Sequence, residues 1–593
     1  VRRLLPALLL LVAVLGGALA LDVSTAGPAL AHATVTATTP ADGARLDAAP
    51  AEVTVEFDEG VSLGAGNVRV LDTDGSRVDT GTPTVRDAVL TVALGSDLPD
   101  GGYVVTYRVV SADSHPITGA WSFVVGDGAL PAASAVDEGG SADPVVAAAL
   151  PATRWLGYLG LALGLGVPVL VATCWAGGWG VPLLRRLSVA GLVAVAVTAL
   201  LSLALQGPYA AGAGLGSLAD PGLLSATLGS AYGRTLLGRA LLALALAGLL
   251  ALAWRRGRPP GTPLLAGAGV LAVGLVVGVA AVGHPVAGPL PALAVAVTAV
   301  HVAAMACWLG GLAALAAAAL LPGFPVRELR PVLVRWSLLA AGLVTALVLS
   351  GVLQSVREVG SPVALVSTTY GWVLLAKVAL VLAVLAVAAV SRDWVQQRLG
   401  GRPRRPSSGR RVVAQAFAAA PAGADAVPAD DAGASTDEPG PAEVRSLRRS
   451  VLLEVAGAVV VLALSAVLVG TPPARAAIAT PVEVTLPLQR AGGGAAGGDV
   501  LVSVAPASPG PTTLHVYLYD ADGELTQPRE VHVTLAERQQ QIGPLEVDLA
   551  GAGPGHYVGD GTVLPTAGTW TLTVSVRLDE FTAATASTVF AVR

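Results

Sequence analysis

The chain is nearly without sulfur: it holds two cysteines and one methionine among 593 residues. Both cysteines, Cys174 and Cys307, fall inside apolar runs, so the polar parts can build neither a disulfide framework nor a Cys-x-x-Cys metal clip. Charge is scarce too. Charged residues make up 13% against 53% hydrophobic, a balance that excludes an ordinary soluble enzyme and indicates an integral membrane protein. The net charge of −5 is slight and no basic run carries interleaved aromatics, so nucleic acid is not an expected partner. A Gly-rich phosphate loop is missing, which leaves no visible coupling to nucleotide hydrolysis. So are a nucleophile elbow and a triad arrangement, and no enzymatic activity is expected.

Long apolar runs and alternating stretches are what the chain does have. Arg2 and Arg3 precede an apolar run from Leu4 to Leu21, and Ala29-Leu30-Ala31 offers the small residues that a signal peptidase requires. Residues 1–31 therefore read as a signal peptide, with His32 the first residue of the mature protein. Residues 32–126 read as a β domain, with alternating runs such as Glu52–Phe57 and Tyr103–Tyr107 split by turns at Asp42-Gly43, Asp74-Gly75 and Asp100-Gly101. A small-residue linker at 127–150 follows. Eight apolar segments long enough to span a bilayer come next, near 152–175, 186–206, 234–254, 263–282, 292–320, 332–354, 370–391 and 449–470. They form a seven-helix block at 151–399, a polar loop expected to be disordered at 400–447, and an eighth helix at 448–471. Arg185, Arg186, Arg255, Arg256, Arg258, Arg327 and Arg330 occupy alternate loops. The positive-inside rule makes those loops cytoplasmic and places both ends of the chain outside the cell. Residues 480–593 return to β patterning. The expected fold is a multidomain membrane protein: an all-β N-terminal domain, an eight-helix transmembrane bundle and a C-terminal β-sandwich.

The chain's chemistry lies in its seven histidines. A terminal His32 would offer its α-amine and Nδ1 as a chelate suited to square-planar Cu(II). With so few soft ligands in the polar parts, Cu(II) is favoured there over Cu(I). In Ser111-Ala112-Asp113-Ser114-His115-Pro116, Asp113 and His115 are two apart, so on an extended chain they face the same way and can bind one ion together. The plainer alternative is a structural Asp-x-His. His284 closes the fourth apolar segment at its outer end. His301 stands ten residues after Pro291, about 15 Å into the membrane, where an ionisable group is a functional candidate. Met305 shares its helical face and would favour Cu(I), although a hydrogen-bonded histidine and a packing methionine are the plainer alternatives. Lys377 reads as structural. Glu358 and Tyr370 lie near the outer mouth. His515, His532 and His556 fall in the C-terminal β region, where a three-histidine metal site competes with structural roles.

These residues carry resemblances. HATVTATTPADGARLDAAPAEVTVEFDEGV together with GGYVVTYRVVSADSHPITGAWSFVV resembles the CopC family of periplasmic copper-binding proteins. That likeness implies a cupredoxin-like β fold with Cu(II) held by His32, Asp113 and His115. The methionine-rich second site of some members is absent, since Met305 lies in the membrane region. HPVAGPLPALAVAVTAVHVAAMACWLGGL, RWSLLAAGLVTALVLSGVLQ and LRRSVLLEVAGAVVVLALSAVLVGTPPAR resemble the CopD membrane domain of copper import and resistance proteins. GPGHYVGDGTVLPTAGTWTLTVSVR looks like a YtkA-like β domain.

The resemblances imply a cytoplasmic-membrane protein that captures Cu(II) outside the cell and passes copper inward by His284, His301 and Met305. Its expected partners are copper ions, the lipid bilayer, and extracytoplasmic copper chaperones or a reductase. Sequestration without transport is one alternative, although eight helices exceed what an anchor needs. A haem-dependent copper reductase is another, disfavoured because its two candidate axial histidines lie at different depths.

Overall fold

The computed structural model describes residues 35–126, 131, 143–398, 440–475 and 482–592, with short breaks at 42–43, 58, 97, 113, 288–289, 323, 361, 363, 491–494, 506, 508, 522–524, 539 and 579–581. The expected signal peptide, His32, Asp113 and most of the polar loop at 400–447 lie outside the described residues.

The N-terminal domain consists of β1 (Val35–Thr39), β2 (Arg45–Leu46), β3 (Glu52–Phe57), β4 (Val61–Asp72), β5 (Asp79–Arg86), β6 (Val89–Leu94), β7 (Gly101–Ser111) and β8 (Pro116–Val125). They form two four-stranded sheets, ordered β1-β3-β6-β5 and β2-β8-β7-β4. Alternation explains the layering. Val53, Val55 and Phe57 of β3 turn inward onto Leu90, Tyr103, Val105 and Phe123, while Glu52 and Glu56 face out. Trp121 adds a tie by donating its indole N–H to the Pro40 carbonyl at 3.1 Å.

Eight helices long and apolar enough to cross a membrane follow among the described residues. In chain order the helices are α1 (Pro144–Thr173), α2 (Pro182–Ala211), the short α3 (Pro221–Gly229), α4 (Ala231–Trp254), α5 (Thr262–Ala280), α6 (Pro291–Ala319), α7 (Val326–Val359), the short α8 (Ala364–Ser367), α9 (Thr369–Arg398) and α10 (Pro441–Leu468). Several run past the apolar segments read from sequence. Arg327, Glu328 and Arg330, for example, occupy the first turns of α7, where hydropathy is low but the backbone is already helical. The short α3, capped by Asp220, has no counterpart among the apolar segments.

Local rules account for the irregular points. Asp143 caps α1 by accepting from the backbone of Val145 and Val146, with Pro144 at its first position. Pro168 cannot donate to the Gly164 carbonyl, and the helix widens to a π turn at Ala162–Gly166 just before it. The Ser188 hydroxyl of α2 donates to that carbonyl at 3.1 Å, so the polar group is satisfied inside the bundle. Beside it α1 and α6 pack backbone to backbone: a Cβ on Gly310 would overlap the Ala162 carbonyl oxygen, and one on Gly166 would meet Gly310.

The C-terminal strands are β9 (Val482–Arg490), β10 (Ala495–Ala505), β11 (Gly510–Asp520), β12 (Glu530–Glu537), β13 (Ile542–Val547), β14 (Ala550–Gly553), β15 (His556–Leu564), β16 (Gly568–Arg577) and β17 (Ala583–Val592). They make one nine-stranded sheet, β13-β12-β16-β17-β9-β10-β11-β15-β14. This refines the expected two-layer sandwich. The two halves face a shared core around Trp570, Leu514, Val516 and Leu535. They are joined at one corner, where Ala584 and Thr585 of β17 pair with Arg490 and Gln489 of β9.

Candidate metal-transfer site

His115 follows the tight loop that joins β7 to β8. Ser114 N–H donates to the Ser111 carbonyl at 2.9 Å and Ser111 N–H to the His115 carbonyl at 3.0 Å. The loop closes because Ser114 takes a left-handed backbone with φ of 77°. Its geometry is fixed from the membrane side as well. Gln206 of α2 donates its amide N–H to the Ser114 carbonyl at 2.9 Å, and Arg108 of β7 donates Nε–H to the Ala210 carbonyl at 2.5 Å. These bonds seat the N-terminal β domain on the helix bundle. A cavity of about 310 Å³ lies at the junction, lined by Ser111 and Ser114 above and by Gln206, Tyr232 and Val286 below.

This seating buries His115, 8% exposed, against His284, 7% exposed. Their rings stack with centroids 5.6 Å apart and planes inclined by 24°. His284 heads a single 3-10 turn after α5, where Gly283 takes a φ of 78° that a side chain would resist. Its Nδ1 lies 3.8 Å from Oε2 of Glu358, near the end of α7. Glu358 is buried and has the Arg357 guanidinium 3.8 Å from its other oxygen, while Arg357 also donates to the Ala287 carbonyl. Three elements remote in sequence thus bring two imidazoles and a carboxylate to one junction, although among the described residues no three such groups are placed to hold one metal ion together.

Deeper in the bundle, Nδ1 of His301 lies 3.0 Å from the Ser350 hydroxyl of α7. Ser350 Oγ also donates to the Ala346 carbonyl at 2.6 Å. Which of the His301 and Ser350 atoms donates depends on the tautomer of the ring. Gly351 makes the approach possible, since a Cβ there would stand 3.2 Å from the His301 ring. Lys377 of α9 lies within electrostatic reach of His301, and Met305 packs at the margin of the apolar core.

The three C-terminal histidines do not converge. His515 Nδ1 and His556 Nε2 lie 3.2 Å apart, with Tyr517 stacked on His556 at 4.2 Å between centroids. His532 is elsewhere: it sits on β12 and pairs with Glu546 at 3.1 Å on an exposed surface. The expected three-histidine cluster is therefore a close pair, of which His556 is buried, and one outlier, because β12 and β11 lie in different halves of the sheet. Burial, reinforced by nearby His515, holds the His556 pKa down to about 3.

The sequence pointed to His115, His284 and Glu358 separately but not to their meeting. Gln206, a polar side chain at the end of an apolar run, was the overlooked signal, since such groups in membrane helices mark contacts or pathways.

Three family models match in chain order. They are the CopC domain over residues 35–126, the copper resistance protein D-like N-terminal domain over 143–290, and copper resistance protein D over 330–468. The chain is similar to the copper transport protein CutJ of Bacillus subtilis (strain 168), at 29% identity over 381 residues, 61% of this chain and 67% of CutJ. Protein YobA of Escherichia coli (strain K12) is 34% identical over 99 residues, 16% of this chain and 79% of YobA. Copper resistance protein C of Pseudomonas syringae pv. tomato is 31% identical over 105 residues, 16% of this chain and 82% of that protein.

Proposed function

We propose that the chain, which matches the CopC domain and both copper resistance protein D models and is similar to the copper transport protein CutJ, captures Cu(II) outside the cell and hands copper directly to its own helix bundle for passage across the cytoplasmic membrane. In this reading His32, Asp113 and His115 hold the captured ion, as the CopC resemblance implies. His284 and Glu358 receive it, and His301 with Met305 forms the inward station. The single observation that carries the reading is the apposition of His115 and His284 across the domain junction, with ring centroids 5.6 Å apart.

A separate capture protein would not need its presumed ligand buried against a membrane histidine. Sequestration alone therefore leaves the junction without a purpose. The carboxylate supports transfer further, because Glu358 lowers the energy of a cation leaving the outer ligands. Orientation rests on the alternating arginine loops, which put both β domains outside. The experiment is copper movement into proteoliposomes by the full chain and by His284→Ala. The variant should lose transport at least tenfold while Cu(II) titration of the outer site stays at wild-type affinity. Transport at the wild-type rate would refute the handoff.

A further inference from the structure

Under the junction cavity lies a second, smaller one of about 50 Å³, and Tyr232 and Val282 line both. Its walls carry Arg154 and Tyr158 from α1, Thr198 and Ser202 from α2, and Tyr232 and Arg239 from α4. Among the described residues no Asp or Glu lines it. The ionisable groups within electrostatic reach of Arg239 are Tyr232, Tyr158 and Arg154, which add a second positive charge and no carboxylate. Arg239 spends one Nη2 donor on the Gly278 carbonyl at 3.0 Å. Its Nε is buried without a hydrogen-bond partner among the described residues. Arg154 has partial compensation, since its Nη1 lies beside Gly470, just past the C-terminal end of α10 where the helix dipole is negative. Arg239 has no such neighbour among the residues around the cavity.

Two guanidiniums cannot shed their charge at any ordinary pH, and burying one unpaired in a membrane bundle is costly. The surrounding side chains offer phenol and alcohol O–H groups, which donate as readily as the guanidiniums do. The Thr198 hydroxyl is spent on the Ala194 carbonyl, but the guanidiniums, the two phenols and Ser202 leave a wall that is positive or able to donate, and what it lacks is negative charge. The volume admits a few water-sized species at roughly 10–15 Å³ each, which fits a compact ion and excludes an organic acid or a nucleotide. We propose that Arg154 and Arg239 bind a small inorganic anion, a halide or phosphate, which enters from the aqueous junction cavity. The proposal stands apart from the copper route, because neither arginine contributes to it.

The test uses the purified full chain in nanodiscs of zwitterionic lipid, with sodium gluconate exchanged for chloride or inorganic phosphate at constant ionic strength. The wild-type thermal midpoint should rise saturably with either small anion, and Arg239→Gln and Arg154→Gln should each weaken the apparent affinity at least tenfold. A bromide anomalous-scattering peak between the two arginines is the direct counterpart. In gluconate alone Arg239→Gln should be as stable as wild type or more so, since it deletes a partly buried charge with no carboxylate beside it; lower stability there would mean the arginine is structural and would overturn the assignment. Equal response to gluconate and to both small anions would overturn it too. The scan is repeated in nanodiscs containing anionic lipid, and a rise seen there but with neither small anion would overturn it as well, placing a lipid headgroup in the site. Tyr232→Phe, which keeps the shape, should weaken the same response severalfold; an unchanged response would count against the site.

Discussion

Replacing Gln206 with Leu separates docking from copper capture. Gln206 and Ser114 are both buried, and the bond between them, 2.9 Å from amide nitrogen to carbonyl oxygen, joins α2 to the loop that presents His115. Leucine keeps roughly the volume and removes the donor, so the Ser114 carbonyl is left buried and unsatisfied whenever the domain sits on the bundle. Undocked, the same carbonyl faces water and loses nothing. The cost of a buried acceptor without its donor, about 1–3 kcal/mol, therefore falls on the docked state alone. It lowers the docked-to-undocked ratio by roughly 5- to 150-fold. Adding Arg108→Met removes the second polar tie, to the Ala210 carbonyl, and carries a comparable cost. The assay is paired. Distances between spin labels on β4 and α4 report docking, and copper accumulation in proteoliposomes reports transport. Cu(II) affinity should be unchanged, because neither side chain belongs to the proposed outer site. Transport should fall in step with the docked population. A double variant whose domain is undocked but whose transport runs at the wild-type rate would refute the direct handoff.

Three further outcomes are expected. His115→Ala should abolish tight Cu(II) binding in titrations of the full chain, and unchanged affinity would remove His115 from the outer site. His301→Ala should slow copper movement at least tenfold with outer binding intact, whereas an unaffected rate would make the buried histidine structural. Because the native pKa of His556 is held down to about 3, the unfolded chain takes up a proton near pH 6.5 that the folded sheet refuses. Stability of the β11–β15 region should therefore be full above that pH and decline as the pH falls toward 3, by up to about 1.4 kcal/mol per unit; an opening free energy from hydrogen exchange, corrected for the intrinsic rate, that does not change between pH 7 and 5 would contradict it.

The helices were legible because a bilayer imposes a composition: segments such as Thr262–Ala280 have no charged residue and the right length. Their ends were not, because residues such as Arg327 and Glu328 extend a helix past the apolar part by backbone bonding that hydropathy does not register. The N-terminal sheets were readable from the alternation of Val53, Val55 and Phe57. In the C-terminal region alternation gave the strands but not their order, which depends on a corner at Ala584–Arg490. For the same reason it could not show that His532 is remote from His515 and His556. The candidate site was legible in its parts only. His115 and His284 each stood in a suggestive local setting, yet their meeting depends on a domain docked through Gln206 and Arg108, a tertiary fact with no periodic signature. The arginine-lined cavity had no motif at all, since Arg154 and Arg239 become neighbours only when α1 and α4 pack.

The charges around the mouth divide it into two sides with opposite consequences for a cation. Beneath the junction cavity, Arg154 and Arg239 repel Cu(II) and favour an anion. Toward His284, Glu358 offers a negative oxygen 3.8 Å from the ring, partly offset by Arg357. In the proposed route, an ion released from the outer ligands is therefore favoured toward His284 and not toward the arginines. Farther in, the balance reverses again, because Lys377 lies within reach of His301 and disfavours a second cation resting there. In the proposed route the firm station is at the mouth and the inner one is weak. A pathway must bind tightly enough to load yet loosely enough to release, and a single uniformly strong chain of ligands would trap the metal. On this argument Lys377→Met should strengthen copper retention in the bundle and slow turnover, an outcome opposite to that expected if the lysine merely anchors α9.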